Sequence, residues 1–118
     1  MPYMLLIHEP KGQRRTRSQA EGEAVYERML QFGRDLKARG LLLASESLST
    51  PDSTAARVQV SDGKPLVLDG PFAEAKEMVG GFFLVDCATR EEAVAIAGQC
   101  PAAEWATVEV RGTGPCFA

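Results

Sequence analysis

An α+β fold, with two helices on one face of a mostly antiparallel sheet, is predicted by three observations. Two segments open on capping boxes and run on in helical periodicity, at "SQAE" and "TREE". Asp62-Gly63 stands between two short alternating runs, the strongest local sign of a β-hairpin. Strand patterns flank each helix, so the order reads β-α-β, a β-hairpin, then β-α-β. Each helix buries only one stripe and needs a sheet face to bury it against, which is the ferredoxin-like arrangement. The 118 residues make one domain, 1–118, large enough for a core without disulfides.

The first strand is Tyr3 to His8, with Tyr3, Leu5 and Ile7 alternating against Met4, Leu6 and His8. "KGQRRTR" is a polar loop. Ser18 then caps a helix through Glu21, and Val25, Met29, Phe32 and Leu36 lie on one helical face. Gly40 closes that helix. "LLLASESLS" is a second strand that ends before Pro51, and "AARVQV" and "PLVLD" are the two arms of the hairpin. "GGFFLVDC" is a strand with bulky residues on both faces. Thr89 and Glu92 cap a second helix through Gln99, which Pro101 stops, and "WATVEVR" is the last strand. Two helices cover one face only, so the second face of "GGFFLVDC" is expected to meet another subunit in a homodimer of stacked sheets.

Composition narrows the function classes. A formal net charge of −3 gives no general attraction to nucleic acid or to an anionic membrane. Cys87, Cys100 and Cys116 form no CxxC pair and have no histidine nearby, which argues against a zinc site and for reduced thiols in a cytoplasmic protein. The apolar run in "MPYMLLIHEP" is too short for a signal-peptide core, and no segment approaches the roughly 20 apolar residues that span a bilayer. The expectation is a soluble, cytoplasmic chain with no cofactor and no metal.

The strings "YMLLIH", "DLKARGLLLASESL", "DGPFAEAKE", "GGFFLVD" and "VEVR", in that order over almost the whole chain, resemble the YCII-related proteins of the DGPF subgroup. The resemblance implies a dimeric α/β-barrel type of fold, related to the ferredoxin-like one. It also implies kinship with domains found in muconolactone-isomerase-like enzymes and in a dehydrochlorinase of aromatic breakdown. Genes of the DGPF type often neighbour those of extracytoplasmic-function sigma factors, which implies a sigma factor as a partner. A histidine–aspartate acid/base pair has been proposed in the family. The aspartate matches Asp69, whereas the family histidine falls near Met29, and the single histidine here is His8.

The residues themselves leave two readings open at each candidate. Asp69 is either an Asx-type turn acceptor beside Pro71 or a general acid/base at a cavity mouth. Phe72 reads as an anchor of the corner in the core. Glu74, Lys76 and Glu77 form either a solvated cluster or the cation-centred wall of an anion site, in which Lys76 neutralises Asp69 or holds the ligand. Gly80-Gly81 fits a bulge or a close backbone approach rather than a phosphate loop. His8 is either a core or interface histidine or the partner of Asp69. Glu46 and Arg57 read as a cross-strand pair or as the lining of a polar pocket. Lys11, Arg14, Arg15 and Arg17 precede a helix N-terminus, where a phosphate or carboxylate can be held. Together these give a protein that binds a small anionic organic molecule near Asp69–Phe72, with lyase- or isomerase-like proton transfer on Asp69. The alternative is a non-enzymatic interaction or regulatory module.

Overall fold

Strand β1 (Pro2–Pro10) is the centre of the structure, a computed structural model that describes residues 1–117. Around it follow α1 (Gln19–Ala38), β2 (Leu42–Ser47), a single helical turn α2 (Pro51–Thr54), β3 (Ala56–Ser61), β4 (Lys64–Asp69), β5 (Glu77–Asp86), α3 (Arg90–Gln99) and β6 (Thr107–Gly112). Two 3-10 turns, Gln13–Thr16 and Pro101–Glu104, complete the chain. Strands β2, β5, β1 and β6 form one sheet in that order, every pair antiparallel. This is the ferredoxin-like α+β topology that the sequence predicts.

Both helix starts carry their caps. Glu21 N–H donates to Ser18 Oγ at 3.1 Å, and Ser18 N–H donates to the Glu21 carboxylate at 2.8 Å, which draws that carboxyl below its usual range. In α3 the arrangement is shifted by one residue. Glu92 N–H donates to Thr89 Oγ1, but the Glu92 carboxylate accepts from Ala88 N–H rather than from Thr89. At the end of α1, Leu41 N–H bonds Leu36 C=O and Gly40 N–H bonds Lys37 C=O. That pair of bonds is a Schellman motif, and it turns the chain back towards β2.

Alternation along the strands divides the sheet into two faces. Leu5, Ile7, Phe83 and Val85 face the helices and are buried with Phe32 and Leu36 of α1 and Ala93 and Ile96 of α3. Phe32 and Phe83 meet edge to face with centroids 5.0 Å apart. The opposite face carries Met4 opposite Leu84 and Leu6 opposite Phe82, flanked by Glu46 on β2 and Glu109 on β6. No element of the described chain covers it.

Three local expectations change. The hairpin does not join the main sheet. Its arms pair only with each other, across a two-residue turn in which Asp62 and Gly63 both have positive φ, as a type I′ turn requires. Consequently Glu46 and Arg57 are not a cross-strand pair, because β2 pairs with β5 and Glu46 lies opposite Phe82. The turn of helix at Pro51–Thr54, opened by Pro51, lies where only a strand end is expected.

Cys87 and Cys100 are buried, and burial pushes both thiols up, whereas Cys116 is exposed. A thiol reagent added to the native protein is therefore expected to label Cys116 alone, with the other two reacting only in denaturant. Mass spectrometry that found two labels on the folded chain would contradict this packing.

Candidate functional site

The inward alternation of β1 does not stop at Ile7. It continues to Glu9, which is 4% exposed on the helix-facing side. A carboxylate there is costly unless a cation meets it. Arg14, on the 3-10 turn that follows β1, supplies one: its Nη2 lies 2.5 Å from Glu9 Oε1. The approach is at ion-pair distance but off the hydrogen-bond line, so Oε1 is buried without an aligned donor. The same guanidinium donates to Leu48 C=O at 2.8 Å and reaches Gly80 C=O at 3.4 Å.

Gly80 makes this meeting possible. The β1–β5 register slips between Ile7 and His8, leaving Gly80 as the extra residue of a bulge. A Cβ on Gly80 would stand 2.3 Å from Glu9 Oε1, and one on Gly81 would stand 2.8 Å from Glu46 C=O. Close approach, as the sequence suggests, is the reason for the glycine pair.

Two cavities meet at Arg14. The larger, about 790 Å³, lies between α1 and the sheet, with Ile7, Met29, Phe83 and Trp105 in its walls and Glu9 and Ser47 among its polar groups. Trp105 is flanked by two guanidiniums, Arg17 at 5.6 Å and Arg28 at 5.5 Å from the ring centre. Arg28 also pairs with Glu104, which raises the arginine and lowers the carboxyl. The smaller cavity, about 410 Å³, is lined by Lys11, Arg14, Arg15 and Arg57 around Phe72, with Glu77 as the one carboxylate among the described residues.

Phe72, the last residue of the Asp69–Phe72 corner, forms one side of the smaller cavity. Lys11 holds the corner twice, through its backbone N–H to Lys76 C=O and through Nζ to Phe72 C=O, both at 2.9 Å. Arg57 lies 3.9 Å above the Phe72 ring. Gly70 is pressed against α2, where a Cβ would come within 2.3 Å of Pro51 C=O.

The sequence candidates therefore separate. Phe72 and Arg57 come together as cavity wall, so Phe72 is not a core anchor. Asp69 is exposed, and among the described residues its carboxylate has no hydrogen-bond or ion-pair partner, so it is not the acceptor of an Asx turn. Glu74 and Lys76 are exposed and interleave with the lining residues Ala75 and Glu77. Glu46 touches the larger cavity from the sheet edge, although its register opposite Phe82 places it on the open face. His8 is bonded to Glu109 at 2.6 Å on the face away from the helices, so the partner of the histidine is Glu109 and not Asp69. Of the basic loop, Arg14 lines both cavities, Lys11 and Arg15 the smaller, and Arg17 the larger. The helix N-terminus behind that loop is already closed by its own capping box. Glu9 and Trp105 went unforeseen. The one available signal for Glu9 was its place in the Leu5, Ile7, Glu9 alternation, where an apolar residue is expected.

A four-stranded antiparallel sheet with two helices on one face, and a cation-lined cavity at the end of its central strands, defines a ferredoxin-like α+β domain with a candidate anion site. The chain belongs to the YCII-related domain family, whose sequence profile it matches over residues 1–113. It is also 50% identical over 44 residues to an uncharacterised protein of Rhizobium meliloti (strain 1021). That match covers 37% of this chain and 36% of the relative, so the chain spans about a third of the length of the curated relative it matches. Among the described residues no helix is long and apolar enough to cross a membrane.

Replacing Glu9 with Gln is expected to destabilise the fold by about 1–3 kcal/mol, below the range for a fully buried pair because Arg14 is one-third exposed. Urea denaturation of wild type and Glu9→Gln checks this. Equal midpoints would mean that the pair does not hold the strand end.

Proposed function

We propose that the protein binds a small organic anion in the cavity beside Asp69–Phe72. The observation that carries this reading is the charge of the wall: Lys11, Arg15 and Arg57 against Glu77 alone among the described residues, besides an Arg14 already paired with Glu9, in a chain whose overall balance is acidic. Like charges are not gathered around one concavity at no cost, and a carboxylate or phosphate among them relieves their repulsion. Its volume lies within the usual range for small-molecule sites, and Phe72 gives an aromatic surface for the organic part of the ligand. Binding is better supported than lyase- or isomerase-like proton transfer, because Asp69 and His8 line neither cavity.

One observation favours a second reading, an interaction module that works with a protein partner such as a sigma factor. The ribbon beside the cavity exposes Val58, Val60 and Val67 on one face, with Val60 71% exposed. In either reading we propose that two copies associate through the open sheet face. Met4, Leu6, Phe82 and Leu84 form its apolar centre and Glu46, Glu109 and Arg111 its polar border, the usual anatomy of an interface.

Two experiments test these proposals. Titration with acetate, benzoate and inorganic phosphate is expected to show saturable binding that Arg57→Gln weakens about tenfold, the loss of one charge-assisted hydrogen bond. Arg57 is exposed, so the variant should fold normally. Unchanged affinity in Arg57→Gln, or no binding of any of the three, would sink the anion site. For the association, sedimentation should give a dimer of the 12.7 kDa chain, and Leu6→Glu a folded monomer. A monomeric wild type at micromolar concentration would count against the proposed interface.

A further inference from the structure

The two cavities share Arg14, Leu48 and Ser49 in their walls. At that shared wall Arg14 donates to Leu48 C=O and reaches Gly80 C=O. The smaller holds the cations Lys11, Arg15 and Arg57. The larger is also reached by Arg17, which lies over Trp105, and by the exposed Arg34 and Lys37, but it adds the apolar walls of Ile7, Val25, Met29, Leu42, Phe83 and Trp105. Val25, Met29, Leu42 and Trp105 are only half-buried, so apolar surface faces that space without a partner from the chain. Arg14 stands at the junction, held from behind by the buried carboxylate of Glu9.

We infer that the ligand is an organic anion with an apolar tail, its charge seated among Lys11, Arg15 and Arg57 and its tail passing Arg14 into the cleft beneath α1. This rests on the anion site proposed above and extends it to a ligand class. The larger space, about 790 Å³, is nearly twice the smaller and has far more apolar wall than a short anion can cover. A tail that leaves water for this cleft strengthens binding with each added methylene.

Gly22 supplies a selective plug. It lies on α1 in the wall of the larger cleft, and a Cβ there would meet nothing within 4 Å. Phe at this position would occupy the cleft, and any residue but Pro favours the helix over Gly. Titration calorimetry with acetate, butanoate, hexanoate and octanoate, each below its micelle concentration, is the test. In the wild type Kd is expected to fall roughly threefold or fourfold per methylene beyond butanoate. In Gly22→Phe the acetate affinity should stay the same and the gain with length should vanish. Octanoate binding no tighter than butanoate would overturn the inference while leaving the small-anion reading in place. So would a length dependence that survives in Gly22→Phe, since the tail would then lie elsewhere, for example on the exposed ribbon. If none of the four carboxylates binds, the inference falls together with the site it rests on.

Discussion

One guanidinium ties together the strand ends on which both cavities depend. Arg14 meets Glu9 at the end of β1, the carbonyl of Leu48 after β2, and the carbonyl of Gly80 in the bulge of β5. Leu48 N–H also bonds Gly80 C=O at 2.9 Å, so the same carbonyl receives both groups. Apolar residues of similar volume could hold such a junction about as firmly, because the desolvation of an ion pair offsets much of its attraction. They could not leave a cation fixed between two cavities. The pair is therefore better understood as a positioning device than as a source of stability.

The main sheet imposes the second constraint. The molecule is 46 × 43 × 19 Å, and its short dimension holds one layer of helix and one of sheet. Its radius of gyration, 16.1 Å, exceeds the ~13.5 Å expected for a compact domain of this length. Part of the excess comes from the ribbon, which pairs with nothing but itself, and part from the flatness of a slab with one bare side. The strand β5 carries bulky residues towards both sides, Phe83 and Val85 under the helices and Phe82 and Leu84 outward. A strand with bulky apolar residues on both faces fits the association proposed above.

Much of the scaffold was legible because local chemistry and global topology agree in it. Ser18, Thr89, Gly40 and Asp62-Gly63 each have a short-range physical reason to stand where they do, and each sits at the boundary it announces. The site was less legible. Arg57 was visible only as a charge on a strand, and its stacking on Phe72 depends on where a free-standing ribbon lies, which no local signal encodes. Asp69, within the most conspicuous string of the chain, is exposed, while the tightly constrained members of that region are Gly70 and Gly80. Glu9 was hidden by the same alternation that revealed its neighbours. A single acidic residue at the end of a strand reads as the strand leaving the core, unless the arginine five positions later is known to fold back onto it.

The ribbon β3–β4 has a consequence for how such a protein can diversify. It is inserted between β2 and β5, makes no ladder with either, and takes its register from its own type I′ turn. Its length and sequence can change without disturbing a single hydrogen bond of the main sheet. Yet it delivers Arg57 to the cavity, and a slip of one residue between its arms would carry the side chains of one arm to the other side of the ribbon. Small insertions at the hairpin could thus exchange the cation over Phe72 for a neutral or acidic group while the scaffold stayed untouched. The fold keeps one wall of the smaller cavity on a replaceable part, whose charge can change without the sheet.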